Sequence, residues 1–239
     1  NFQFCDFSYK YTFPRPLSAM PESTVTKDEL FLKYRMSFYT LSSYICATYN
    51  PEVMKNLDFE AVRDSLSDGQ TASKLWVVDL VNQFLTAKSM KVAVFGGWVG
   101  ILCRFLYDYV GPAGVDNIEL DGTLEKVNEI ILGRYAEKSK FIHSDMYDFD
   151  YDANQYDLYI NTSGEHISSI KEWIEKIPSG KYIILQSNDF TSHPQHINCV
   201  SSATELEQKV FEAANVKDVI YRGTLSLPIY NRFMVVAKT

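Results

Sequence analysis

Lys91-Val92-Ala93-Val94-Phe95-Gly96-Gly97-Trp98-Val99-Gly100 is the stretch on which the fold turns. A short, mostly apolar run closes on a glycine-rich turn, and Ile101 to Tyr109 then reads as a helix. A strand that feeds a helix through glycines lets backbone come close to a ligand and aims the helix N–H groups at it. Gly96 and Gly100 are spaced for that turn, and Gly97 adds freedom. The same turn also serves in many chains only to pack a helix against a strand.

Downstream the pattern repeats. Strands are expected at Asn117–Leu120, Lys140–His143, Tyr156–Ile160 and Lys181–Gln186, with helices from about Thr123 to Tyr135, around Ile167–Ile177 and over Ala203–Asn215. Val219–Leu227 and Arg232–Ala237 have no helix between them and should pair antiparallel. Strands alternating with helices predict an α/β fold: a doubly wound, Rossmann-like, mostly parallel sheet of seven strands with a C-terminal antiparallel hairpin. Ligands of such sheets bind beyond the carboxyl ends of the strands, where the strand order reverses.

Upstream, residues 1–71 are expected to form an N-terminal helical extension with an aromatic arm, and residues 72–239 the sheet domain. Phe7, Tyr9, Tyr11 and Phe13 alternate as in a strand or extended arm. Ser23 or Thr24 could cap a helix through Leu30, Phe31, Tyr34, Phe38, Leu41 and Tyr44. A second helical pattern spans Pro51 to Leu66, ended by Ser67-Asp68-Gly69, and a third runs from Thr71 or Ala72 to Leu85. The extension is a candidate cover for a substrate, or a helical unit that only packs.

Composition narrows the classes. The 239 residues are 46% hydrophobic, enough for a packed core, and no apolar run is long enough for a membrane span. A net charge of −7 argues against non-specific nucleic-acid binding, which relies on Lys and Arg. The four cysteines are scattered without a CxxC, as suits a reducing compartment. No basic segment followed by an apolar run stands at the first residues given, so the expected location is cytoplasmic.

Polar residues just after each strand are the candidates for chemistry. Glu119 ends the second strand some twenty residues after the glycines, where a carboxylate can accept both hydroxyls of a ribose; Asp121 competes for that role. Asp145-Met146 follows the third strand and suits an adenine, the acid accepting from its amine and Met packing on the ring. Asn161-Thr162-Ser163-Gly164-Glu165-His166 follows the fourth, and Asn188 the fifth. His166 or Glu165 could act as a base, with Asn161 orienting an acceptor. His193-Pro194-Gln195-His196-Ile197-Asn198-Cys199 has a His-x-x-His-x-x-Cys spacing, but Pro194 opposes a helical ligand face and no further ligand pair is evident in the sequence. No metal is therefore expected, and that segment is expected to be a lid loop.

In their order, these features resemble the class I S-adenosylmethionine-dependent methyltransferases over residues 72–239. The resemblance implies S-adenosylmethionine as cofactor, held by Gly96, Gly97, Trp98 and Gly100, with its ribose on Glu119 and its adenine near Asp145 and Met146. Two positions depart from the family: its acid two residues before the first glycine is here Val94, and its middle glycine is here Trp98. The Asn-Thr-Ser-x-Glu-His run is similar to one in phage-borne and marine environmental methyltransferase-like proteins. Gln70, Ser73 and Lys74 look like part of that pattern, and Lys74 could reach the cofactor's carboxylate. There is no Asp/Asn-Pro-Pro-aromatic motif and no Pro-Cys nucleophile, which leaves a small-molecule or protein acceptor favoured over nucleic acid. Val94 also fits an aminopropyl-type transferase, and Trp98 a catalytically inactive binding module of the same fold.

Overall fold

The structure is a computed structural model, and it describes residues 22–36, 50, 51, 55, 63–85, 87–153 and 155–239. The Phe7–Phe13 alternation and most of the Pro51–Leu66 helical pattern lie outside the described residues. From residue 68 onward the elements follow the expected order. Helix α2 (Asp68–Phe84) leads into β2 (Lys91–Phe95) and α3 (Ile101–Tyr109), then β3 (Gly114–Glu119), α4 (Glu125–Leu132) and β4 (Phe141–His143). Next come β5 (Leu158–Asn161), α5 (Ile170–Glu175), β6 (Tyr182–Asn188), α6 (Ala203–Phe211), β7 (Asp218–Ser226) and β8 (Asn231–Lys238).

The sheet has eight strands rather than seven. The extra strand, β1 (Ser23–Thr26), precedes α1 (Lys27–Lys33) and pairs parallel with the outer side of β7. Ser23 and Thr24, read as helix caps, are strand residues instead. The cap is Thr26, whose hydroxyl accepts from the Glu29 N–H while the Glu29 carboxylate accepts from the Thr26 N–H. Helix α1 itself ends at Lys33, and Phe38, Leu41 and Tyr44, expected on the same helix, lie outside the described residues. Arg35 takes φ 50°, and the N–H groups of Met36 and Arg35 donate to the carbonyls of Phe31 and Leu32. That is a Schellman ending with Arg where glycine is usual, so the sequence carried no stop signal. The segment before α2 stops at Leu66, but Ser67 at once caps that helix, so Asp68 and Gly69 are helical and not part of the break.

Strand order is β1-β7-β8-β6-β5-β2-β3-β4, with β8 antiparallel to both β6 and β7 and every other pair parallel. The central strands are buried on both faces, as a sheet covered by helices on each side requires. Val92 and Val94 join a core with α2, α3 and α4, while Ala93 and Phe95 join a second core with Trp173 and Ile174 of α5 and Leu206 and Val210 of α6. In the second core Phe95 packs against Phe149, Tyr151, Tyr159 and Trp173. Helix α2 is buried without interruption from Thr71 to Val81. Ser73 donates to the Gln186 side chain at 2.5 Å, and the Gln186 amide returns a bond to the Ser73 carbonyl at 3.1 Å, fixing α2 over β6. From β2 the chain moves outward to β3 and β4, then returns to β5 on the other side. The strand order therefore reverses between β2 and β5. No helix among the described residues is long and apolar enough to cross a membrane.

Candidate functional site

The turn after β2 is built around its missing side chains. Gly96 and Gly100 hold φ of 61° and 86°, values that suit glycine. A Cβ on Gly97 would run into the Asn117 side chain and Val94, and one on Gly100 into the Asn128 amide. Trp98 holds φ 50°, a strained value for so bulky a residue. Two bonds hold it: its N–H donates to Glu119 at 2.8 Å and its carbonyl accepts from Asn117 at 3.0 Å. Asn117 and Asn128 are fully buried polar residues, which the sequence motifs do not single out.

The Glu119 carboxylate also accepts from the N–H groups of Leu120 and Asp121, at 2.9 and 3.2 Å. Three backbone donors thus fix its position and leave lone-pair capacity toward the cavity it lines. Asp121, its competitor, caps the short 3-10 turn Gly122–Leu124 through Thr123, and those bonds hold its carboxyl below the usual range.

A cavity of about 690 Å³ opens at the carboxyl ends of β2, β5 and β6, at the order reversal. Gly96, Gly97, Trp98, Glu119 and Met146 line one part of it. Lys74, Gln70, Glu165, Asn188, Arg232 and three histidines line another. Gly100, Asp145 and Asn161 are not among the lining residues. Gly100 is instead the N-cap of α3. Asp145 accepts from the Tyr147 N–H at 2.8 Å in a local turn. Asn161 is fully buried, accepts from the Ser163 N–H at 2.8 Å and directs its amide to the Met146 sulfur.

The charged part is tightly organised. Lys74, 8% exposed, donates to the Gln70 side chain at 2.6 Å; burial, reinforced by the Arg232 charge, pushes its pKa down to about 7. Arg232 of β8 donates to the Thr162 carbonyl at 2.8 Å and to Glu165 Oε1 at 3.2 Å. Glu165 Oε1 also accepts from Asn188 at 2.6 Å, whereas its Oε2 is buried without a hydrogen-bond partner. Arg232 went unnoticed in the sequence because the closing hairpin carried no motif. His166 stacks edge-on with His196 at 4.7 Å between ring centroids and lies 6.3 Å from His193. Desolvation lowers the His166 pKa against the opposing pull of Glu165.

Comparison with solved structures gives the class of fold: it is that of the Rossmann-like methyltransferases. Magnesium protoporphyrin IX methyltransferase from Synechocystis PCC 6803, solved with bound S-adenosylhomocysteine, is similar at 13% identity with a TM-score of 0.60, over 88% of this chain and 99% of that one. A structure described as a putative O-methyltransferase from Nostoc punctiforme PCC 73102 is similar at 16% identity with a TM-score of 0.57, over 89% of this chain and 72% of that one. The N-methyltransferase NodS from Bradyrhizobium japonicum WM9, also with S-adenosylhomocysteine, reaches 9% identity and a TM-score of 0.56, over 84% and 97%. No protein-family model and no curated protein matches the sequence.

Proposed function

We propose that the chain is an S-adenosylmethionine-dependent methyltransferase acting on a small-molecule or protein acceptor. One observation carries the reading: the glycine turn, the donor-fixed Glu119 and Met146 share a single cavity at the strand-order reversal. The solved structures of like fold, some of which hold S-adenosylmethionine or its demethylated product, add support. A volume of about 690 Å³ and the remaining lone pair of Glu119 fit an adenosine ligand.

In this reading Glu119 accepts one ribose hydroxyl through its remaining Oε2 lone pair, Gly96, Gly97 and Trp98 offer backbone along the ligand, and Met146 packs on the adenine. Gly100 shapes the turn, and Asp145 and Asn161 hold the wall that carries Met146. Lys74 receives the carboxylate of the amino-acid end, taking up the proton that burial has loosened. The bound cofactor would supply an electrophilic methyl group on its sulfonium sulfur. The chain's part is to align the acceptor and accept its proton, at His166 or Glu165. Residues 1–71 would cover the acceptor.

Calorimetry with S-adenosylmethionine and S-adenosylhomocysteine tests this. Wild type should bind both, and Glu119→Ala should bind at least about tenfold more weakly through loss of a charged hydrogen-bond acceptor. Failure of wild type to bind either ligand would sink the reading. Val94, buried where the family carries an acid, keeps a second reading, aminopropyl transfer. The group transferred from labelled cofactor separates the two.

A further inference from the structure

We infer that Glu165, His166 and His196 form a binding site for one divalent transition-metal ion of the zinc class, with an open coordination position toward the cavity. The sequence offered only the spacing of His193, His196 and Cys199, on which no metal is expected. The fold instead brings the segment after β5 against the loop after β6. The N–H groups of Ile197 and Asn198 both donate to the Glu165 carbonyl, at 2.9 and 3.0 Å, and thereby hold His196 beside Glu165 and His166. One potential ligand atom from each of the three residues lies within 4.8 Å of the other two.

Three features make this more than a crowd of polar groups. First, Glu165 is 2% exposed, and Asn188 and Arg232 occupy one carboxylate oxygen while the other is buried with no hydrogen-bond partner. A buried carboxylate oxygen without a donor costs free energy, and a cation is the natural occupant. Second, the Nδ1 atoms of His166 and His196 lie 3.2 and 2.6 Å from the backbone carbonyls of Gln195 and Phe190. A carbonyl can only accept, so both rings carry their hydrogen on Nδ1 and present the Nε2 lone pair, the arrangement found behind metal-ligating histidines. Third, His193 is set differently: its Nδ1 accepts from the Gln195 N–H at 3.3 Å, which directs its hydrogen to Nε2. It is a bystander.

Two imidazoles and a carboxylate suit zinc, whose ligand bonds of about 2.0–2.2 Å require the three atoms to draw in to about 3.4 Å from one another. Arg232 balances the Glu165 charge, so the ion gives this end of the cavity a net positive charge. With His166 and Glu165 engaged as ligands rather than as the base, the open position favours an oxygen or sulfur acceptor bound as its anion, its proton released to solvent on coordination. Metal binding stands apart from methyl transfer; only this role for the metal rests on the proposed function, and redox-neutral transfer is what favours zinc over iron for the same ligand set.

The experiment uses the untagged full chain, stripped with chelator and titrated with Zn²⁺ alone and with Co²⁺ alone. The expected result is one ion per chain and a cobalt absorption spectrum of four- or five-coordinate nitrogen and oxygen ligation. His166→Ala and His196→Ala should each weaken Zn²⁺ binding at least about 100-fold while keeping the wild-type far-ultraviolet dichroism, and His193→Ala should bind as wild type does. Glu165→Gln, which keeps the size of the side chain, should alter the cobalt spectrum. Absence of stoichiometric binding overturns the inference, as does a His193→Ala loss equal to that of the other two. S-adenosylmethionine affinity, measured on the same samples without metal, reports on the proposed function separately.

Discussion

The Lys74 amine makes the cofactor reading measurable through pH. In the unliganded protein burial, aided by Arg232, puts its pKa at about 7. A carboxylate arriving beside it restores the charged form, so the ammonium's pKa is higher in the complex than in the free protein. Binding therefore takes up a proton above pH 7, and affinity is greatest below that pH and falls as pH rises. From pH 7 to pH 9 the charged fraction of free Lys74 drops from about one half to about one per cent, which predicts a loss of about 50-fold in affinity, or ~2.3 kcal/mol. Calorimetry at pH 6, 7, 8 and 9, in paired buffers of different ionisation enthalpy, gives both the affinity and the proton count. The ligand's own α-amino group titrates near 8, so the quantity that matters is the difference between wild type and Lys74→Met. If Lys74→Met keeps the wild-type affinity and the same pH slope, Lys74 does not meet the cofactor.

The same substitution should raise the stability of the unliganded protein: the folded pKa of about 7 lies below the ordinary 10.5, so the unfolded chain binds the extra proton between those values. Wild type accordingly gains stability from this group as pH rises through that window, and the advantage of Lys74→Met in thermal melts should be largest at pH 7 and below, shrinking toward pH 10. Gly100→Ala meets both a φ of 86° and the Asn128 amide, and should cost about 2–4 kcal/mol in urea unfolding; a cost under about 0.5 kcal/mol would show that the turn can relax. Arg232→Leu strands the buried Glu165 carboxylate with Asn188 as its remaining partner and should cost about 3–5 kcal/mol, read as a lower urea midpoint at unchanged slope. A midpoint equal to wild type would mean that water already reaches the pair.

The sheet was legible because its signals are local. β2, with apolar residues on both faces, and its glycine turn reveal a buried strand feeding a helix without any knowledge of the rest of the chain. β1 was not legible: Ser23–Thr26 is four polar or β-branched residues whose strand state comes from pairing with β7, some 200 positions away. The end of α1 was missed for a different reason, since Arg35 adopts a backbone conformation for which sequence patterns expect glycine. In the site, Glu119 could be found by counting from the glycines along a regular strand. The histidine pair could not. His166 and His196 are thirty positions apart, and the bonds onto the Glu165 carbonyl, with those from the His166 ring to Gln195 and from the Asn198 amide to Ile167, bring them together. Arg232 is silent for the same reason, being one cation in a strand until Glu165 is set against it.

The place of β8 in the sheet has a consequence for how the protein comes into being. It lies between β6 and β7, two strands that precede it in the chain, and it brings Arg232 to the cavity. Until it inserts, β6 and β7 have no common partner and the Glu165 carboxylate has no cation. During synthesis the glycine turn and Glu119 leave the ribosome more than a hundred residues before that strand. The part of the cavity lined by the glycine turn and Glu119 is thus synthesised while the part lined by Arg232 is still incomplete, and on the proposed function a nascent chain would acquire its cofactor-binding half before its reactive one.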